Sequence, residues 1–405
     1  MHSNPSQFSS LPPEIFATIF SYLCLPCIPS LGRKPSRNRA RFRISHVCHQ
    51  WREIALSQPQ LWSHINFNIV NLAGATEILA RAKSVPLYME TKVSSQYGRH
   101  NELDPFLKEV QAHLPHVRHL SISAERDLEL DRTICWELVS PAPTLEYLSL
   151  SFREDEDRIK DRTGLRQLFI PDIQVLGTPF GGSIPRLSFL KLRNCNIRWN
   201  SPLLKGLKYL EIVTQHPMER PTLAVWLDTH DKIPQLKTLI LHLAFPVFPS
   251  NVKRTVTLPS PIHFDISASL QDCGRASAHL VLLVLTSLCL TSVPVDRHTN
   301  GGGVHDYLMS VMRHIHGPQD IRPLQSALVY NSGNHLQLLA WPVPDIDTLV
   351  HYQPAFLGAT LPMRVKLSFH WRCTGNGCPE ISETMMAALP LDGLLNTFCS
   401  RPEPG

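Results

Sequence analysis

Charge is scarce in this chain. Lys, Arg, Asp and Glu make up 18% of its 405 residues against 43% apolar residues, a balance that buries a sizeable core and excludes a solvated, unstructured polymer. The length is too great for one small domain and suits a small module followed by a larger one. Glycine, at 19, is outnumbered by proline, at 34. Proline interrupts both helix interiors and sheet ladders, so long uninterrupted elements are excluded and many short ones are expected. The longest apolar run, Leu280 to Val293, is too short for a membrane span and contains Thr286, Ser287, Thr291 and Ser292.

Signatures of reactive chemistry are missing as well. G-x-S-x-G, H-E-x-x-H, the P-loop and the dinucleotide glycine fingerprint do not occur. His370-x-x-Cys373-x-x-x-x-Cys378 supplies three zinc ligands and no fourth. Cys24-Leu25-Pro26-Cys27 has pair spacing but no second pair at finger distance. The expectation is therefore no catalytic residue, no metal and no cofactor. A metal-enzyme reading would have to rest on His370, Cys373 and Cys378. The ten cysteines are irregularly placed, mostly inside apolar stretches, and the N-terminus reads as no signal peptide. A reduced compartment, cytoplasm or nucleus, is expected.

The net charge of +5 is local. Arg33, Lys34, Arg37, Arg39, Arg41 and Arg43 form one acid-free run, and without it the chain is close to neutral. The body lacks the broad positive surface that nucleic-acid binding needs. The run itself reads as a solvated loop first and an import signal second; with no aromatic but Phe42 interleaved, a nucleic-acid surface comes last.

What is present begins at the N-terminus. Leu11-Pro12-Pro13-Glu14-Ile15 opens a helix whose prolines fit a first turn and whose Glu14 suits the positive dipole end. Ile15, Ile19 and Leu23 make a stripe, widened by Phe16 and Phe20, and Pro26 limits the helix. A second helix is predicted from Ile44 to Leu56, with Ile44, Val47, Cys48, Trp51 and Ala55 on one face and Pro59 after it. Trp51 and Trp62 lie close together, and aromatic anchors of this kind dominate protein–protein interfaces.

The order Leu-Pro-Pro-Glu-Ile, Val47-Cys48-x-x-Trp51-Arg52, Pro59-x-Leu61-Trp62 resembles an F-box over residues 8–67. The segment 24–43, Cys-Pro-rich and basic, replaces the family's short acidic connection. That swollen middle resembles the expanded F-box family of basidiomycete fungi. The resemblance implies docking onto the Skp-type adaptor of a cullin–RING (SCF) ubiquitin ligase through Leu11, Pro12, Ile15, Ile19, Leu23, Val47, Cys48, Trp51 and Leu61.

From residue 114 a second pattern takes over. Val117-x-x-Leu120-x-Ile122, Leu145-x-x-Leu148-x-Leu150, Leu165-x-x-Leu168-x-Ile170, Leu187-x-x-Leu190-x-Leu192, Leu207-x-x-Leu210-x-Ile212 and Leu236-x-x-Leu239-x-Leu241 recur at leucine-rich-repeat intervals. In each L-x-L the leucines face one side of a short strand and are buried only by neighbouring repeats. Returns at Thr133–Val139 and Thr222–Asp231 read as helices. Later strands are expected at Leu285–Leu290, Leu324–Val329 and Val365–Phe369, with a helix over Val304–His316 and loops at 246–263 and 301–303.

The predicted class is α/β: the helical module at 8–67, a helical linker or first return at 68–113, an irregular leucine-rich-repeat solenoid of parallel strands at 114–372, and a closing helix and tail at 373–405. Alternation places Tyr147, Phe169, Phe189, Lys191, Arg193, Tyr209 and Glu211 on the open concave face, a candidate surface for an unknown target protein. The expected function is a non-catalytic substrate receptor, with neither nucleic acid nor membrane as partner. The alternative is an adaptor-independent scaffold whose N-terminal hairpin caps the solenoid; it requires Trp51 and Leu61 to be buried.

Overall fold

The structure, a computed structural model, describes residues 11–24, 40–68, 70–93, 100–125, 138, 140–153, 173–174, 179–182, 186–214, 220–249, 253–260, 263–282, 287–292, 326–331, 335–341, 365–370 and 396–400. The chain divides into two compact units, residues 1–168 with 178–187, and residues 169–177 with 188–405.

In the first unit, α1 (Pro13–Cys24) starts on Pro13 and carries Glu14 in its first turn, as its opening sequence requires. The predicted second helix is broken in two. α2 (Ala40–Ser45) and α3 (His49–Ser57) are separated because Cys48 is extended, with φ −156° and ψ 171°. Arg52 Nε donates to the Ser45 carbonyl at 2.9 Å, satisfying one of the acceptors that the end of α2 leaves open. A 3-10 turn, Pro59–Trp62, then leads into β1 (His64–Asn66).

β1, β2 (Leu87–Val93), β3 (Val117–Glu125) and β4 (Tyr147–Arg153) pair in parallel, in chain order. Their register lines up Ile65, Met89, Leu120 and Leu148 as one buried row. Each such side chain contributes about 1.5–3 kcal/mol of burial. α4 (Leu72–Ala82) returns the chain between β1 and β2 and is capped by Asn71, whose side chain accepts the Gly74 N–H at 2.9 Å. α5 (His100–His113) returns it between β2 and β3. The stretch expected as a helical linker at 68–113 thus holds a full strand, β2, between its two helices. Met89 and Thr91 stand in the buried register where the repeat pattern has leucines.

In the second unit, β6 (Phe189–Arg193), β8 (Tyr209–Val213), β9 (Thr238–His242), β11 (His263–Ala268), β13 (Ser287–Ser292) and β16 (Val365–His370) are successive parallel neighbours. Leu190, Leu210, Leu239, Phe264 and Leu288 form one in-register buried row, the solenoid-like core. Between these strands run α6 (Leu223–Asp231), capped by Thr222 as its sequence suggests, and α7 (Leu270–His279), capped by Ser269. Two short parallel pairs join β5 (Ile173–Gln174) to β7 (Cys195–Asn196) and β10 (Val256–Leu258) to β12 (Leu280–Leu282).

Several expectations change here. Residues 246–263, read as loop, contain β10, with Phe248, Val256 and Leu258 buried. β11 is a repeat without the leucine signature, since Phe264 and Ile266 occupy the buried places. The strands are not all parallel: β15 (His335–Trp341) runs antiparallel to both β16 and β14 (Ser326–Asn331). The closing segment contains a strand, β17 (Asn396–Ser400), parallel to β14. Its Thr397, Phe398 and Cys399 have strand-forming rather than helix-forming side chains. The expected repeat at 165–170, most of the helix at 133–139, the helix at 304–316 and the glycine run at 301–303 lie outside the described residues.

Candidate docking site

α1 turns two different apolar edges to its surroundings. Phe16 and Phe20 point inward, their ring centroids 5.6 and 5.1 Å from the half-buried Trp51. Ile15, Ile19 and Tyr22 stay outside, 46%, 44% and 68% exposed. Val47, in the break between α2 and α3, is 59% exposed, and its neighbour Cys48 is exposed too. Pro12 is exposed, Leu11 is half-buried, and the Pro12 carbonyl accepts the Ile15 N–H at 3.0 Å, closing the first turn. Leu23 falls in the last turn of α1. Of the residues that the resemblance implies for docking, Pro12, Ile15, Ile19, Val47 and Cys48 are open to a partner.

Leu61 is not. It is 3% exposed and belongs to the core, and Trp62 beside it is fully buried. The Trp62 indole N–H donates to the Ala55 carbonyl at 2.9 Å. Arg81 from α4 lies with its guanidinium carbon 4.6 Å from the Trp62 ring, a cation–π contact that ties the 3-10 turn to the first return. Arg41 is also buried, although its run reads as a solvated loop. Its Nη1 donates to the carbonyl of His64 in β1, and its guanidinium lies over Phe42 and Trp62 at 5.2 and 5.8 Å. The module therefore has an outer apolar face and an inner face that closes the start of the first sheet.

In each unit the outward sheet face carries stacked rings. In the first unit His64 stacks on Tyr88 at 4.2 Å and His119 on Tyr147 at 3.8 Å, while Tyr88 and His119 stand 6.0 Å apart. His64 and Tyr88 escaped sequence reasoning because no leucine repeat marks β1 or β2. The available signal was their place immediately before a buried residue, Ile65 or Met89. Burial holds the His64 imidazole down at about 4, helped by the Arg41 charge. Burial, with a smaller contribution from His64, does the same to His119. Burial also raises the Glu90 carboxyl. Ser149 and Ser151, on the same face of β4, are buried, while His119, Ser121 and Tyr147 beside them are half-buried.

In the second unit Phe189 and Tyr209 stack at 3.9 Å. Beside them Glu211 accepts from Tyr209 Oη at 2.7 Å, from Lys191 Nζ at 2.9 Å and from Arg193 Nη2 at 2.7 Å. Burial pushes the Glu211 pKa up, but the hydrogen bonds from Tyr209, Lys191 and Arg193 outweigh it and leave the carboxylate below its usual range. With its side chain 2% exposed, Glu211 is an anchor for Lys191 and Arg193, not a surface for a target. Phe169 lies outside the described residues.

Among the described residues, no group of three or more His, Cys, Asp and Glu is arranged to hold a metal ion, and no helix is long and apolar enough to cross a membrane. Cys373 and Cys378 lie outside those residues. No curated protein and no solved structure matches the chain. A family model described as F-box-like matches residues 8–68, the span of α1 to α3, the 3-10 turn and β1. The N-terminal module, read first from Leu11-Pro12, Trp51-Arg52 and Leu61-Trp62, is an F-box-like domain.

Proposed function

We propose that this chain is a non-catalytic substrate receptor of an SCF-type ubiquitin ligase. The F-box-like domain supports a role in binding the adaptor of such ligases. The observation that carries the reading is the outer face of that domain. Ile15, Ile19 and Val47 remain about half exposed although α1 to α3 have already buried Phe16, Phe20, Ile44 and Ala55 against one another. Several exposed apolar side chains on one small module mark an interaction site. A Skp-type adaptor covers this face, with Pro12, Ile15, Ile19, Leu23, Val47 and Cys48 as contacts and Trp51 supporting them from behind through Phe16 and Phe20.

The ring-bearing sheet face of the second unit holds the target protein through Phe189, Tyr209, Lys191 and Arg193, with Glu211 fixing the last three. The chain then contributes proximity, raising the target's effective concentration near the ligase's loaded enzyme. Co-expression with a Skp-type adaptor and size-exclusion chromatography tests the reading: a stable co-eluting pair is expected. Two folded proteins that elute separately would overturn it.

A second reading, an adaptor-independent scaffold, is favoured by one observation. Of the two residues that a capping hairpin has to bury, Leu61 is buried while Trp51 is half-buried; Trp62, beside Leu61, is fully buried and is held by Arg81 of the first return. Capping uses the inner face of the module and docking the outer one. The scaffold reading therefore replaces the receptor only where adaptor binding fails.

A further inference from the structure

The second unit contains a pocket unrelated to the sheet face. The segment 199–205, which follows β7, passes beside α6, and between them lies a cavity of about 130 Å³. Trp199, Leu204 and Val225 give it its apolar wall, Asn200, Ser201 and Thr229 a polar one, and Lys205, Asp228 and Lys232 its charges. The walls are fixed before any ligand arrives. Thr229 Oγ1 donates to the Trp199 carbonyl at 2.5 Å, and behind it Trp199, Trp226 and His230 pack ring against ring, Trp199 at 6.2 and 5.6 Å from the other two. Val225 is 39% exposed although it is apolar and lines the cavity.

The charges around this pocket are unequal. Asp228 is neutralised by Arg254 Nη1 at 2.5 Å. Lys205 and Lys232 are exposed and have no ion-pair partner among the described residues. The pocket therefore combines an apolar space with two uncompensated positive charges. Preformed concavities that pair an apolar wall with a few placed polar and charged groups are how proteins select ligands. A space near 150 Å³ accepts a benzene-sized group, so this one takes a single side chain and not a cofactor.

We propose that this pocket is a peptide-binding site. It seats one aliphatic side chain of an acidic segment of a partner protein, with the flanking carboxylates on Lys205 and Lys232. The site does not depend on the adaptor-docking reading and lies on return segments, so a partner held there leaves the sheet face open.

The test uses the full chain and two fluorescein-labelled peptides, Glu-Glu-Leu-Glu-Glu and Glu-Glu-Ser-Glu-Glu, followed by fluorescence anisotropy. The leucine peptide binds saturably and about tenfold or more tighter than the serine peptide, the ratio expected from burying one aliphatic side chain. Lys205→Glu/Lys232→Glu, a change confined to exposed side chains, abolishes binding of both. Val225→Trp fills the space and removes the preference for leucine while leaving weak ionic binding. Equal affinity for the two peptides would show a diffuse ionic contact and overturn the proposal. So would absence of saturable binding, or binding unaffected by the double charge reversal in variants with an unchanged circular dichroism spectrum.

Discussion

Arg41 and Trp62 are stacked: the guanidinium carbon lies 5.8 Å from the indole ring centroid, and Arg41 Nη1 also donates to the carbonyl of His64. One residue thus joins α2, the 3-10 turn and the first strand. The F-box-like domain is continuous with the opening of the sheet, and Arg81 of α4 adds a second guanidinium against the same indole at 4.6 Å.

Trp62→Ala is expected to destabilise the first unit by about 3–5 kcal/mol, the usual cost of deleting a fully buried aromatic. Leu61→Ala, in the same core, should cost about 2–5 kcal/mol. Urea unfolding of the two variants measures both. Losses below about 0.5 kcal/mol, the range of surface positions, would mean that this turn is not core.

Ile15→Asp and Ile19→Asp should leave the unfolding midpoint almost unchanged, because both side chains already stand in solvent. Phe20→Asp, one position beyond Ile19 but fully buried, should prevent folding. Thermal melts of the three variants check the assignment of the two faces. A stable Phe20→Asp protein would contradict it.

Glu211→Gln should destabilise the second unit by about 1–3 kcal/mol, since it removes the negative charge and one of the two acceptor oxygens shared by Lys191, Arg193 and Tyr209. Arg193→Ala removes a cation from the exposed edge of the same network and should cost less than about 1 kcal/mol. Denaturant titrations rank the pair. The reverse order would show that the carboxylate is not the hub.

Acid should weaken the fold through its histidines. Burial, partly offset by the hydrogen bond of Nδ1 to the Trp226 carbonyl at 2.8 Å, holds His230 at about 4. Its Nε2 is buried with no partner among the described residues, so a proton there has no acceptor. His64 and His119 also stand at about 4. A depressed histidine pKa means that the folded state binds fewer protons than the unfolded one between about 4 and 6.5. Stability from these groups is full above about 6.5 and falls as pH drops towards 4. Denaturant midpoints from pH 7.5 to 5 should decline, and the decline should be shallower in His230→Leu. An identical slope in that variant would remove His230 from the explanation.

The buried rows were legible wherever leucine filled them. Leu120, Leu148, Leu190, Leu210 and Leu239 all stand where L-x-x-L-x-L places them. Other strands were hidden because Met89, Thr91, Phe264 and Ile266 fill the same register with different shapes. A wide helical stripe shows that α1 is buried somewhere, but periodicity cannot say whether Ile15 or Phe16 faces inward; the packing of Trp51 decides that. Arg41 was unreadable for a related reason. Within a run of arginines, only tertiary contact with Trp62 distinguishes the buried one. The His64–Tyr88 stack was missed because histidine carries no period of its own.

The most direct test of the receptor account is isothermal titration of a Skp-type adaptor into the full chain, beside Ile15→Asp/Val47→Asp as an outer-face variant and Glu211→Gln, in the second unit, as a control. Saturable binding to the unaltered chain and to the control, lost in the outer-face variant while its melt is unchanged, is the predicted result. No heat of binding to the folded, unaltered chain, or equal affinity for all three proteins, would contradict it.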